Sequence, residues 1–369
     1  MRMLAELAVR AGYRVTALDY FGDLDLQALC PSRSLRRDYQ HPYTAAALAL
    51  AGADLTAPSL VYGASLENHP EVVGQLSQGR DLLGNSPAVL AAVRNPLHLA
   101  AVLQAQGYAC PHTVAVDQPS ASVAGRRWLW KPLKSGGGHS IRSWSGGARP
   151  PEGILQERLA GLVCSAAFVA DGQRAVLLGL TEQLIGRRTF GASGFRYCGN
   201  LLPPRLGPAQ IQAILADVQP LVNYLTAAFR LRGLNGLDFV WDRSRVWTLE
   251  VNPRPSASME LIDRAYGLRV FEAHVRAFAG QLPAFDLAEA LTHKTAAGKA
   301  ILFAEHDLTV GDTSDWLAQD RRDIPHRGEQ IKARQPICTI LTSGPTPVEC
   351  WRQLQTKARQ IKPELSPTS

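Results

Sequence analysis

The sequence predicts an α/β protein built of several lobes: an N-terminal α/β unit, a mixed α+β middle and a small β-rich tail. Three observations carry that expectation. Helical-period and strand-like runs alternate over residues 1–90. A long amphipathic run over 208–229 is followed by two strands, 236–241 and 246–251, joined by the turn Asp242-Arg-Ser-Arg245. The chain has 369 residues, more than one ordinary core accommodates.

Taken in order, Met3, Leu4, Leu7 and Ala8 recur at helical period, Gly12 closes that helix, and 14–18 is a strand running into Asp19. Residues 60–63 form a second strand entering a turn at Gly63. The unit opens with a helix where a βαβ fold opens with a strand, so the expectation is a late start or a sheet one strand short. Ser86-Pro87 and Asn95-Pro96 are helix starts, the second leading into a helix over 96–106 closed by Gly107. Strands follow at 128–131, 154–159 and 164–170. Beyond Pro283 the texture turns β-rich, with strands at 299–303 and 336–341, before a last helix over 347–361. The expected domains are 1–90, 91–285 (small lobe 110–165, large lobe 166–285) and 286–369.

Composition narrows the class. The apolar fraction is 46% and the charged fraction 19%, which excludes a mostly disordered or coiled-coil chain. No run approaches the roughly 18 apolar residues of a membrane span. The N-terminus, with Arg2, Glu6 and Arg10 at helical spacing, does not read as a secretory signal. Six scattered cysteines without a Cys-x-x-Cys pair read as reduced thiols in a cytoplasmic protein. The net charge is +7, but the basic residues are spread rather than blocked, so a small polyanion such as a nucleotide explains them as well as nucleic acid does. Neither a nucleic-acid nor a membrane partner is expected.

The most informative stretch is Asp238-x11-Glu250-x-Asn252-Pro-Arg254. Strand side chains alternate, so Thr248, Glu250 and Asn252 should face one way and Trp247, Leu249 and Val251 the other, buried way. Glu250 and Asn252 then lie about 7 Å apart on one face, and the hairpin returns Asp238 beside them. Two carboxylates and an amide oxygen are hard donors suited to Mg²⁺, and a cation would relieve the repulsion between the acids. On spacing alone, they read equally well as solvated strand residues.

The second feature is Lys131-Pro-Leu-Lys-Ser-Gly136-Gly137-Gly138. Three glycines place no Cβ between their N–H groups and a phosphate, and a lysine ending the preceding strand adds a point charge. The order is neither that of a Walker A loop nor Gly-x-Gly-x-x-Gly. By itself the triglycine is equally a plain flexible hairpin. His139 and Arg142 follow the glycines and are open to phosphate or surface roles alike.

Together and in this order, the Lys-Pro strand with its glycine loop, the Gln156-Glu157 strand and the Asp…Glu-x-Asn-Pro-Arg set resemble the ATP-grasp superfamily. Gln156-Glu-Arg-Leu-Ala-Gly161, Tyr197-Cys-Gly-Asn200 and Asn252-Pro-Arg-Pro-Ser-Ala-Ser258 resemble its predicted carboligase (carboxylate–amine ligase-like) branch. The resemblance covers 86–261 in detail. It implies an ATP-grasp fold behind a βαβ-type pre-ATP-grasp domain whose first strand is missing, with a small β-rich C-terminal module. It implies that Lys131 contacts phosphate, that Gly136, Gly137 and Gly138 form a lid, and that Gln156 with Glu157 receives the adenine amino group. Asp238, Glu250 and Asn252 match Mg²⁺ (or Mn²⁺) ligands, and Arg254 matches the arginine that steadies the transferred phosphoryl group or the substrate carboxylate. Two positions depart from the pattern. Arg94 stands near the usual second phosphate lysine. Val163 stands where a ribose-binding acid is common, leaving ribose to backbone groups or Glu182.

The implied activity is ATP-dependent ligation: a carboxylate activated as an acylphosphate, then attacked by an amine, with a homodimer as an open expectation. The rival expectation, resting on Arg94, Val163 and the absent strand, is a nucleotide-binding regulator or scaffold that has lost catalysis.

Overall fold

The computed structural model describes residues 1–117, 126–138, 140–146, 152–293, 295–361 and 365–367. Its centre is an eight-stranded antiparallel sheet in the order Val246–Asn252, Arg232–Trp241, Leu162–Asp171, Ala175–Ile185, Tyr197–Leu202, Ala296–Phe303, Pro336–Gly344 and Arg321–Arg322. Period-two alternation gives this sheet two buried faces. Cys164, Ala166, Phe168 and Ala170 enter the core on one side, while Ala167 and Val169 enter a second core on the other.

The helix Pro208–Phe229 covers the first side, with the bounds its periodicity predicts. Ile211, Ile214, Val218, Leu221, Val222, Leu225 and Phe229 form its buried stripe, and each contributes about 1.5–3 kcal/mol. Pro208 occupies the first turn, where no N–H is needed, and Gln210 accepts from the Gly207 N–H at 3.0 Å. The helices Arg2–Arg10, Met259–Tyr266 and Val270–Phe278 contribute Leu4, Leu7, Leu261, Ile262 and Phe271 to the opposite core.

A second, four-stranded antiparallel sheet stands apart in the order Thr113–Ala115, Ile154–Glu157, Trp128–Lys131 and Arg142–Trp144. The predicted starts at 86 and 95 are real caps. Ser86 accepts from the Val89 N–H, and Asn95 from those of Leu97 and His98. In the N-terminal unit Ala17–Asp19 pairs in parallel with Ser32–Ser34, and Ser59–Leu60 with Asp81–Leu82. The first strand of each pair borders one large cleft, to which Ala5, Ala8, Leu48 and Leu76 add apolar lining.

The β-rich tail continues the large sheet. Ala296–Phe303 pairs with Tyr197–Leu202, and Leu184, Phe190 and Leu201 share a core with Ile337, Ile340 and Leu354. The strand Ala175–Ile185 had no expectation, because its apolar residues run without alternation and bury on both faces.

Buried charge ties the N-terminal helix to this body. Arg2, 2% exposed, donates to Glu6 and Glu260 at 2.9 Å and to Asp323 at 3.0 Å. Lys299 also bonds Glu260. No single helix among the described residues is long and apolar enough to cross a membrane.

Candidate active site

The two sheets and the N-terminal unit enclose a cleft of about 1350 Å³. Lys131, Gly136, Gly137, Gly138, Gln156, Glu157, Asp238, Glu250, Asn252, Arg94 and Arg254 all line it. Residues more than 150 positions apart in sequence thus meet at one place. His139 lies outside the described residues. Arg142 turns away, its guanidinium 5.7 Å over the Trp130 ring, and Glu182 is buried in an ion pair with Arg205, which removes it as a ribose partner.

The acidic pair sits on the β-ribbon. Asp238 pairs directly with Glu250, and Gly236 with Asn252. The alternation expected for 247–252 is broken by a bulge: Phe239 pairs with Thr248, leaving Leu249 extra. Thr248 is therefore buried, 2% exposed, with its backbone N–H on the Ala109 carbonyl, while Leu249 turns into the cleft beside Glu250. The expected shared face of Thr248, Glu250 and Asn252 is corrected to Leu249, Glu250 and Asn252.

Asp238 accepts from the Gln183 amide at 2.8 Å and the Asn252 amide at 3.0 Å. Burial first, and then the Glu250 charge, lift its carboxyl to about 7. Glu250 goes the other way. Burial raises it, but Arg94 and Lys131 outweigh that and hold it below the usual carboxylate range. Lys131 is lowered, foremost by burial, with Arg94 adding to the effect against the attraction of Glu250 and Asp238.

Three cations surround the pair. Arg94, at the end of the helix Pro87–Val93, donates to Glu250 Oε2 at 3.1 Å and to the Val251 carbonyl at 3.3 Å. Lys131 donates to Gln156 Oε1 at 2.6 Å, and Gln156 Nε2 reaches Thr113 at 3.2 Å. The Gln156 amide thus aims the lysine. Arg254 donates to Asn252 Oδ1 at 3.2 Å and to Glu67 Oε1 at 2.8 Å.

The glycine loop closes over this ground. Tyr197 N–H donates to the Gly137 carbonyl at 2.9 Å. Gly137 and Gly138 have φ of +64° and +69°, and a Cβ on Gly138 would stand 2.1 Å from the Phe195 carbonyl oxygen. Only glycine permits that approach in that conformation. Leu129, Ile154, Val163, Val240 and Leu249 give the same cleft an apolar lining, which it shares with Gln156 and Glu157.

Sequence reasoning missed Glu67, Asn68, Gln183 and Phe195. Glu67 and Asn68 lie in the short turn Leu66–Asn68 that follows the strand Ser59–Leu60. A polar pair just past a strand end of an α/β unit was the available signal, since such ends face ligand crevices. Gln183 and Phe195 had none.

The site's chemistry follows from its charges. Three cations and a loop of backbone N–H groups suit a polyphosphate. Asp238 and Glu250 are hard donors whose mutual repulsion a divalent cation would offset, so the residues present fit Mg²⁺. The Asn252 oxygen points at Arg254 rather than at Asp238.

Residues 93–258 match the family model described as ATP-grasp domain. The carbamoyl phosphate synthase large chain of Halomonas eurihalina is 26% identical over 112 residues, which are 30% of this chain and 10% of that protein. The pyruvate carboxylase of Rhizobium etli superposes with TM-score 0.72 at 14% identity, over 96% of this chain and 36% of its own. The L-amino acid ligase of Bacillus licheniformis superposes with TM-score 0.67 at 14% identity, over 100% of this chain and 96% of its own.

Proposed function

From a chain whose residues 93–258 are an ATP-grasp domain, we propose an ATP- and Mg²⁺-dependent ligase that activates a carboxylate for attack by an amine. The observation that carries the reading is convergence: Lys131, the triglycine loop and the Asp238–Glu250 pair line one cleft. The fold likeness to an L-amino acid ligase over nearly its whole length supports it.

In this reading the base of ATP lies against the apolar lining that includes Leu129, Val163 and Leu249, with Gln156 and Glu157 taking its amino group. Lys131 and Arg94 take the phosphate oxygens, and the loop Gly136-Gly137-Gly138 lies over them. Asp238 and Glu250 would hold the metal, joined by Asn252 once its amide oxygen turns from Arg254, and the ion when bound would neutralise charge on the phosphate oxygens.

A carboxylate oxygen of the acid attacks the γ-phosphorus, and the bond from that phosphorus to the β–γ bridging oxygen breaks to release ADP. The amine lone pair then attacks the acyl carbon. The carbon–oxygen bond to phosphate breaks, phosphate leaves with the electron pair, and the nitrogen gives up a proton. Arg254 steadies the acid carboxylate and then the phosphoryl group, and its own aim is set by Glu67. No enzyme nucleophile is needed. The chain supplies positioning, charge and exclusion of water, the last through the closed loop.

The test is ADP release against a panel of carboxylates paired with amines, with and without Mg²⁺. Turnover should require Mg²⁺ and a particular pair, and Glu250→Gln and Asp238→Asn should each lower it at least a hundredfold while the chain stays folded. Stabilisation by nucleotide with no turnover under any combination would replace this reading with a nucleotide-binding scaffold.

A further inference from the structure

We propose that Asn68 is a positioning residue that couples closure of the glycine loop to the setting of Arg94, an inference that rests on the ligase reading. Asn68 ends the turn Leu66–Asn68 of the N-terminal unit and is 9% exposed. Both ends of its amide are engaged. Oδ1 accepts from Arg94 Nη2 at 3.1 Å and Nε at 3.3 Å, and Nδ2 donates to the Ser135 carbonyl at 3.3 Å. Ser135 is the residue just before the triglycine, and Arg94 holds Glu250. One short side chain therefore joins the lid to the guanidinium at the acidic pair.

The amide's orientation is fixed by its partners, because a guanidinium only donates and a carbonyl only accepts. The chemistry also explains why an amide is needed. Aspartate at this position would accept from Arg94 but has nothing to donate to Ser135. Leucine would do neither.

Asn68 itself does not line the cleft, so it acts through its neighbours. With the loop closed, Ser135 fixes the amide, and the amide fixes Arg94. With the loop open, the amide loses that anchor and Arg94 loses a held acceptor. Coupling of this kind is reciprocal: an Arg94 engaged by phosphate favours the amide pose that receives the loop. The N-terminal unit thereby takes part in closure although it contributes no glycine and no metal donor.

The experiment is hydrogen exchange on the full chain with Mg²⁺ and the β,γ-imido analogue of ATP, together with the analogue's Kd. In the natural protein the analogue should slow exchange over 132–138 at least fivefold. Asn68→Ala should lose that protection and bind the analogue about five- to tenfold more weakly, with its nucleotide-free unfolding midpoint within about 2 °C of the parent. Asn68→Asp should lose the protection as fully, since it keeps only the Arg94 half of the link. In a Gly138→Ala background, which already unseats the loop, Asn68→Ala should add little further loss. Full protection in either Asn68 variant, or additive losses with Gly138→Ala, would overturn the coupling alone. A natural protein that binds no analogue would overturn the ligase reading and the coupling with it.

Discussion

Replacing the three loop glycines one at a time by alanine separates backbone conformation from steric approach, because the three differ in both. Gly136 lies outside the left-handed region, and a Cβ there meets nothing within 4 Å. Gly137 has φ +64° with open space around a Cβ. Gly138 has φ +69° and would put a Cβ 2.1 Å from the Phe195 carbonyl oxygen. Left-handed backbone costs alanine about 1–2 kcal/mol more than glycine. Charged only against the closed loop, that weakens nucleotide binding about 5- to 30-fold for Gly137→Ala. At position 138 the overlap cannot be accommodated, so the docking onto Phe195 breaks and takes with it the bond from Tyr197 N–H to Gly137, a further ~0.5–1.5 kcal/mol. The total, about 1.5–3.5 kcal/mol, predicts about 10- to 400-fold weaker binding for Gly138→Ala, against a change within about threefold for Gly136→Ala. The assay is the Kd of the Mg²⁺–imido analogue by calorimetry, with unfolding midpoints as the control for folding. Binding by Gly138→Ala within threefold of the parent, or equal weakening at all three positions, would refute the account of a loop closed against Phe195.

Two further outcomes test how the body is held. His274, 1% exposed, accepts from the Leu234 N–H at Nδ1 (2.9 Å) and reaches the Leu83 carbonyl with Nε2 (3.1 Å), so it is neutral with its proton on Nε2. Burial, only partly offset by the Leu83 bond, lowers it to about 4. The unfolded chain therefore takes up the proton first, and this contribution to stability, complete above about pH 6.5, declines as pH falls toward 4. Relative to His274→Gln, the parent should lose about 2 kcal/mol between pH 7 and pH 5 in urea unfolding, and parallel curves would contradict the assignment. Arg2→Met should cost about 3–5 kcal/mol in the same measurement, since Glu260, Asp25 and Asp323 are left facing one another. Lys332→Ala, which removes an exposed pair with Asp307, should leave the unfolding curve unchanged. Equal effects would show the Arg2 cluster to be no more than a surface contact.

What the sequence by itself determined is whatever rests on local rules. Helix starts at Pro87, Pro96 and Pro208 follow from proline and cap chemistry, and the helix Pro208–Phe229 from an unbroken stripe. The strand Trp128–Lys131 and the hairpin around 242–245 follow from alternation and turn residues. The chemistry-bearing types, a lysine before glycines and two acids with an amide on a ribbon, were legible too, because strand geometry fixes their spacing within one element.

Only the tertiary structure decided which of these meet. A one-residue bulge exchanged Thr248 for Leu249 on the cleft face, and no local signal marks where a ladder slips, since both registers satisfy the residues themselves. The β-rich module expected over 286–369 adds strands to the edge of the large sheet, and its own pattern says nothing about which edge it joins. Glu182 was a plausible ribose partner until Arg205 claimed it. Glu67 and Asn68 take their meaning from Arg254 and Arg94. A turn 26 residues from one partner and 187 from the other can be placed only by the packing of the lobes that carry them. Local preference is set by neighbours along the chain, whereas a site of converging charges is set by how whole sheets and helices bury their faces.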